Sequence, residues 1–161
     1  MKAKRSAGIL LYRRTASGVE VFLVHPGGPF WARKDEGAWS IPKGEFDEAE
    51  DPLEAARREF REETGADPGE RFIPLGEVRL RSGKVVLAWA AEGDLDPARL
   101  VSNTFSMEWP PHSGRIQHFP EVDRGEWFSP GAARHKCNPA QNAFLDRLLA
   151  ALATGPAHLP R

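Results

Sequence analysis

Two short apolar runs open the chain, Ala7 to Tyr12 and Val19 to His25, the second interrupted only by Glu20, and the polar turn Arg13 to Gly18 separates them. Short aliphatic and β-branched runs on either side of a turn predict an antiparallel hairpin. The pattern then lapses. The stretch HPGGPFWARKDEGAWS that leads from His25 to Ile41 is heavy in Gly, Pro and Trp, has no period, and predicts a loop. Loops of that length inside a compact domain are usually functional or disordered, and Phe30, Trp31 and Trp39 favour function here.

Helical periodicity begins at Asp51. Asp51 suits the N-cap, Pro52 the first helical position, and Glu54 stands where it would complete a capping box. Leu53, Ala56 and Phe60 form a core-facing stripe, and Thr64-Gly65 stops the helix. Strands are expected over Phe72 to Leu80 and Val85 to Ala91, joined at Ser82-Gly83, followed by a short helix over Asp94 to Leu100 capped by Asp96-Pro97. The proline-interrupted stretch Phe105 to Phe119 fits no single element. Glu126 to Phe128 reads as a last strand and Ser129-Pro130 as the start of a helical turn. A final helix is expected from Asn138-Pro139, carrying Phe144, Leu145, Leu148, Leu149 and Leu152 at helical spacing and ending at Gly155-Pro156, with a frayed tail from Thr154. Mixed strands with two main helices predict an α/β (α+β) sandwich, and 161 residues without a linker or repeat predict one domain with an ordered core over about 5–153.

Composition narrows the function classes. Twenty-two basic residues nearly balance 23 acidic ones, so nothing in the overall charge favours nucleic acid or an anionic membrane as partner. Any anion recognition has to be local. The lone Cys137 excludes an intramolecular disulfide and makes a thiolate zinc site unsupported, which suits a reducing cytoplasm. The apolar run after the basic residues Met1 to Ser6 is too short for a signal-peptide core or a membrane span.

The chemistry concentrates in GEFDEAEDPLEAARREFREETGA, Gly44 to Ala66. On the predicted helix Glu59 and Glu63 lie one turn apart with Glu62 beside them, so three carboxylates converge. Like charges so close destabilise an isolated helix, and Arg58, one turn before Glu62, offsets only part of that cost. Divalent cations are the simplest further compensation, because carboxylate oxygens are hard ligands suited to Mg²⁺ or Mn²⁺. A solvated helix laced with salt bridges is the competing reading. That alternative gives no reason for Gly44 six residues before Glu50, nor for Gly65 just past Thr64, although Gly65 alone is an ordinary C-cap. For this chain's Gly, Glu and Arg content, chance gives those seven fixed positions an expectation of about 10⁻⁵ before charge clustering is allowed for.

This spacing resembles the Nudix box, the signature of hydrolases that cleave nucleoside diphosphates linked to a further group. The resemblance extends over about residues 5–152 and implies an α/β/α sandwich around a mixed sheet. It implies that Gly44 offers its carbonyl to a metal, that Glu59 and Glu63 are metal ligands, and that Glu62 is a ligand or the base that activates water. Arg58 would orient Glu59, and Glu50 would support the metal shell. A carboxylate outside the box acts as base in some members; Glu121 in FPEVDRGEWF is the preferred candidate, ahead of Glu126 and Glu108. Phe60 and Ala66 depart from the family pattern at packing positions. The segment WSIPKG, Trp39 to Gly44, resembles the sequence before the box in diadenosine-polyphosphate hydrolases and in some related members that cleave oxidised nucleotides or polyphosphates; Lys43 in it is a candidate phosphate contact, and Trp31 and Trp39 are candidate substrate contacts by stacking. Phe105 and Trp109 could also stack on a base, and His25, Arg33, Arg115 and His118 could meet phosphate. The expected activity is metal-dependent hydrolysis of a nucleotide-derived small molecule, a dinucleoside polyphosphate or nucleoside triphosphate being favoured, by a cytoplasmic monomer or homodimer. Rivals are a non-catalytic nucleotide-binding or sensor domain on the same scaffold, a structural module with an acidic surface helix, and an isomerase. Cys137 lies too far along the chain to supply an isomerase nucleophile.

Overall fold

The computed structural model describes residues 4–158, with side chains placed to residue 154. The two opening runs form the centre of the sheet as β1 (Arg5–Thr15) and β2 (Gly18–Pro26), longer than expected because the connecting turn needs only Ala16 and Ser17. Their apolar character is continuous because both faces are covered. Leu10 and Tyr12 of β1 and Val21 and Leu23 of β2 enter one core, while Ala7, Ile9, Leu11, Phe22 and Val24 enter the other. Successive side chains of a strand point to opposite faces, so one apolar run serves two layers.

β3 (Lys43–Glu45), α1 (Pro52–Thr64), β4 (Ile73–Arg79) and β5 (Val85–Glu92) follow. The main sheet has the order β4-β5-β1-β2-β8, with β8 at Val122–Phe128, and β3 pairs with β1 off that path. β1 runs parallel to β5 and antiparallel to β2 and β3, so the sheet is mixed, as expected. α1 covers one face through Ala55, Ala56 and Phe60. α2 (Pro130–Lys136) and α3 (Asn142–His158) cover the other through Ala133, Phe144, Leu145 and Leu148. The result is an α/β/α sandwich. β6 (Thr104–Glu108) and β7 (Ile116–Pro120) form a separate two-stranded sheet, which resolves the ambiguous stretch as a hairpin with Phe105, Met107, Trp109 and Phe119 half-buried.

Several boundaries differ from the sequence reading. β3 was not foreseen: three residues with no apolar alternation form a strand only because β1 offers Ser6 to Gly8 as partners. β8 starts at Val122 rather than Glu126, drawn into the sheet by pairing with β2. Asn138-Pro139 opens a 3-10 turn over Pro139–Gln141, with the Asn138 side chain accepting from Ala140 N, and α3 starts only at Asn142. α3 also runs through Gly155-Pro156 to His158, since a proline in a last turn removes few hydrogen bonds. The part of the expected frayed tail beyond His158 lies outside the described residues. Asp94 to Leu100 shortens to a 3-10 turn over Pro97–Arg99, capped by Asp96 as expected. The Asp51 cap forms, its carboxylate accepting from Glu54 N at 3.1 Å, but the reciprocal half of the box does not, because the Glu54 carboxylate pairs with Arg57 at 3.0 Å.

Candidate active site: an acidic cavity

β2 and β3 lie along the same edge of β1, β2 pairing with Tyr12 to Thr15 and β3 with Ser6 to Gly8. A cavity of about 460 Å³ opens where one gives way to the other, lined by Ser6 of β1, Val24 and Pro26 of β2, all of β3, and Glu59, Glu62 and Glu63 of α1. Lys84, Asn103, Thr104 and Glu121 close it from the far side. Lys43, Gly44, Glu59, Glu62, Glu63 and Glu121, scattered over almost eighty positions of chain, thus meet in one place.

Short hydrogen bonds hold this convergence. A helix leaves its last carbonyls without intrahelical partners. Two of them, on Glu62 and Thr64, accept from the backbone N–H groups of Asn103 at 2.8 Å and Val101 at 3.0 Å. Asn103 in turn accepts from Glu121 N at 2.8 Å, and the Glu121 carbonyl accepts from Gly27 N at 2.9 Å. The 101–103 segment is a strap that ties Glu121 to the carboxyl end of α1. Gly65, at φ 78°, takes the left-handed C-cap that turns the chain out of the helix, and Val101 packs against it.

Arg58 organises the acidic face. Its guanidinium donates to Glu50 at 2.9 Å, to Glu59 at 3.2 Å and to Glu62 at 3.3 Å. Glu50 is therefore linked to the cavity through Arg58 rather than by lining it. Gly44 answers Glu59 from the opposite wall: a Cβ built on Gly44 would fall 2.0 Å from the Glu59 carboxylate. The Glu59 side chain, only 13% exposed, occupies the volume that glycine leaves. Glu63 accepts from the backbone N–H of Lys43 at 3.3 Å.

Burial governs the charges. It raises the Glu63 carboxyl to about 8, a shift that Lys43 opposes and Glu59 reinforces. Glu59 is raised as well, by burial first and then by Glu62. Lys43 is lowered by burial and by the neighbouring Lys84. A buried acid and a buried base are both pushed toward their neutral forms, which is the cost of taking charge out of water. Among the described residues no three acidic, His or Cys side chains already stand as a finished metal cage. Arg58 draws Glu59 and Glu62 toward itself instead. The donor set nonetheless fits a hard divalent cation: carboxylate oxygens from Glu59, Glu62, Glu63 and Glu121, and a cradle at Gly44 that a larger residue would fill.

Other candidates fall elsewhere. Trp39, expected at a substrate contact, is instead a core residue: it is 1% exposed, packs edge-on to Phe128 and His25, donates its indole N–H to Asp35 at 2.8 Å, and lines neither cavity. Its large apolar ring is better buried than left at a cavity mouth. Trp31 does not line the acidic cavity but a second one beside it. His25, fully buried, places one ring nitrogen 2.9 Å from Asp123 and the other 2.6 Å from the Lys34 carbonyl, and so fastens the long loop rather than meeting phosphate. Glu108 accepts from the backbone of His112 and Gly114 at the hairpin tip, and Glu126 lies on β8 opposite Leu23; neither lines the cavity. Ser6, Lys84, Asn103 and Thr104 do line it and were not picked out. Their selection depends on the parallel pairing of β1 with β5 and on the 101–103 strap, which no local pattern encodes.

Comparison with known proteins agrees with this architecture. The mouse bis(5'-nucleosyl)-tetraphosphatase [asymmetrical] is 32% identical over 102 residues, covering 56% of this chain and 65% of the mouse protein. The RNA pyrophosphohydrolase of Halorhodospira halophila is 47% identical over 54 residues, covering 33% of this chain and 29% of that one. The chain thus spans less than two thirds of the length of these curated relatives. A binary complex of the C. elegans Ap4A hydrolase superposes with a TM-score of 0.63 at 23% identity, covering 94% of this chain and 99% of the other, which bears on the fold. No helix among the described residues is long and apolar enough to cross a membrane. The model of the NUDIX domain matches residues 2–148, nearly the whole of the described fold, and the chain belongs to the NUDIX family.

Proposed function

We propose that this chain is a divalent-cation-dependent hydrolase of the diphosphate linkage in a nucleotide-derived substrate, with a dinucleoside polyphosphate favoured. The observation that carries the reading is the meeting of Glu59, Glu62, Glu63 and Glu121 with the Gly44 backbone in one cavity beside Lys43 and Lys84. Family membership and the likeness to a tetraphosphatase support it. Glu59, Glu62 and Glu63, with the Gly44 carbonyl, would hold Mg²⁺ or Mn²⁺, and Glu121 faces them across the cavity. When bound at these residues, such a cation would supply neutralisation of phosphate charge and a lowered pKa for an attacking water.

The chain's own groups do the rest. Arg58 holds Glu59 and Glu62 in place and ties them to Glu50, so the carboxylates keep their geometry when the cavity is empty. Lys43 and Lys84 offer positive charge to the non-bridging oxygens of the phosphate chain. Glu121, anchored through its backbone on both sides, is the proposed base that takes the proton of the attacking water. Attack forms one phosphorus–oxygen bond and breaks the anhydride bond opposite, and the leaving phosphate carries away the electron pair. The buried free Cys137 supports a reducing, cytoplasmic setting. The test is a panel of dinucleoside polyphosphates, nucleoside triphosphates, ADP-ribose and 5'-triphosphorylated RNA with Mg²⁺, products identified by mass. Turnover of at least one anhydride supports the hydrolase; binding without turnover across the panel makes the chain a sensor domain.

A further inference from the structure

β2 and β8 pair in register from Val21 with Phe128 to His25 with Arg124, and then slip, so that Pro26 meets Val122 and Asp123 is left over. Asp123 is the extra residue of a β-bulge, and such a residue reverses the alternation of its strand beyond that point. The reversal is visible. Trp127 and Gly125 face the Phe22 side of the sheet, and Val122, which unbroken alternation would send to the opposite face, enters that same core. Glu121, the next residue back, lines the acidic cavity. One side chain pins the bulge. His25, fully buried opposite the slip, sets Nδ1 2.9 Å from an Asp123 carboxylate oxygen and Nε2 2.6 Å from the Lys34 carbonyl oxygen. Carbonyl and carboxylate oxygens accept and do not donate, so each ring nitrogen has to carry the proton of its own bond and the ring is an imidazolium. A neutral ring has one N–H, and its other nitrogen would turn a lone pair on an oxygen. Asp123 supplies the counter-charge that a buried cation needs. The charges around the pair are engaged elsewhere: Arg124 lies over the Trp39 ring at 5.2 Å, Lys34 over the Trp31 ring at 5.0 Å, and Asp35 accepts from Lys136 and the Trp39 indole.

We propose that His25 is a positioning residue, held doubly protonated, that fastens the Asp123 bulge to the Lys34 turn of the long loop and so sets the place of Glu121. The part played by Glu121 rests on the hydrolase reading; the clamp itself does not. His25 lines neither cavity, so it acts through its two oxygen partners rather than on a substrate. Gly27 carries the effect over the remaining distance. Its N–H donates to the Glu121 carbonyl at 2.9 Å, and a Cβ on it would fall 2.0 Å from the Pro120 carbonyl oxygen, so the root of the loop lies directly against residues 120 and 121. A bulge next to a working site re-aims one side chain, and here the imidazolium decides whether the bulge stays where it is. Two substitutions separate charge from geometry. The amide of Asp123→Asn can donate to Nδ1 while Nε2–H still donates to Lys34, so a neutral ring makes both contacts. Asp123→Ala removes one contact at a position that is 31% exposed and leaves the buried core intact.

The experiment reads the ring nitrogens of isotope-labelled histidine by NMR at about pH 7, with the His25 signals assigned through their contact with the Trp39 ring. Two protonated nitrogens are expected in the wild type and one in Asp123→Asn. A nitrogen without a proton in the wild type overturns the clamp, whether or not the chain hydrolyses anything. In parallel, kcat and KM for the best panel substrate are measured with saturating Mg²⁺ in wild type, Asp123→Ala and Asp123→Asn, each shown to be folded by circular dichroism. Asp123→Ala is expected to lose about tenfold or more in kcat with KM nearly unchanged, because a displaced Glu121 costs rate rather than binding. Asp123→Asn is expected to stay within about threefold of the wild type, since it keeps both bonds of the clamp. Full kcat in Asp123→Ala, or an equal loss in Asp123→Asn, overturns the positioning role while hydrolysis by the wild type stands. Absence of turnover across the whole panel sinks the hydrolase reading instead, and the NMR result then decides the clamp alone.

Discussion

Replacing Gly44 by Ala separates the acidic site from the fold more cleanly than removing a carboxylate does. The added Cβ would fall 2.0 Å from the Glu59 carboxylate. Ordinary carbon contacts begin near 3.4 Å, so one of the two must retreat by more than ~1 Å. Backbone retreat would strain the pairing of Gly44 with Ala7, whereas the Glu59 carboxylate is the far end of a flexible side chain. Glu59 therefore moves, and its hydrogen bond to Arg58 goes with it. A displacement of about 1 Å at a reacting centre can cost roughly 10²-fold in rate, or about 2.7 kcal/mol of transition-state stabilisation. Stability is expected to change little, because alanine at a tolerated glycine position gains about 0.4–1 kcal/mol through the unfolded chain, against the small cost of a moved side chain. Steady-state hydrolysis of the best panel substrate, alongside thermal unfolding followed by circular dichroism, reads both quantities. Full activity in Gly44→Ala would refute the assignment of Glu59 to the working site, and loss of folding would refute the claim that the side chain yields rather than the backbone.

The remaining expectations concern neighbouring groups. Glu62→Gln and Glu63→Gln are each expected to lower turnover about 10²-fold or more with Tm nearly unchanged, since removing one of several like charges does not weaken α1; normal rates in both would place the chemistry elsewhere. Without metal, the folded state binds the Glu63 proton more tightly than the unfolded chain, because burial raises this carboxyl to about 8 from an ordinary 4.5. That contribution is fully present below pH 4.5 and is lost as pH rises through 8, so urea unfolding in EDTA should show wild type losing stability relative to Glu63→Gln across this window; a difference independent of pH counts against it. Arg58→Ala should reduce activity about 10- to 100-fold by freeing Glu50, Glu59 and Glu62, with partial recovery in Arg58→Lys as the check on positioning. Trp39→Ala should cost about 3–5 kcal/mol and lower Tm by about 10 °C, as a core side chain does, and a variant that keeps its Tm but binds substrate poorly would restore Trp39 to the site.

What could be read from the chain divides along the range of the forces involved. The opening strands, the cap at Asp51 and the carboxylate face of α1 are local: periodicity and side-chain chemistry within a few residues decide them. Lys43 and Gly44 were recognisable as chemistry but not as a strand, because β3 exists only by pairing with β1. Trp39 was misplaced for a related reason. A tryptophan in a Gly/Pro-rich loop carries no sign of whether it faces outward, and here Asp35 satisfies its N–H while Phe128 and His25 enclose the ring. Glu121 was singled out by resemblance, while its position depends on Asn103 bridging it to α1, a long-range link with no sequence period. The pairing of Phe30 with Trp109, nearly eighty residues apart, was equally beyond local patterns.

The most direct test of the account is the rate of anhydride hydrolysis as Mg²⁺ is titrated into EDTA-stripped protein, in wild type and in Glu59→Gln/Glu63→Gln. The account predicts no turnover without the cation, saturable activation in the wild type, and at least 10²-fold weaker activation in the folded double variant. Equal activation of both proteins, or turnover in EDTA, would contradict it.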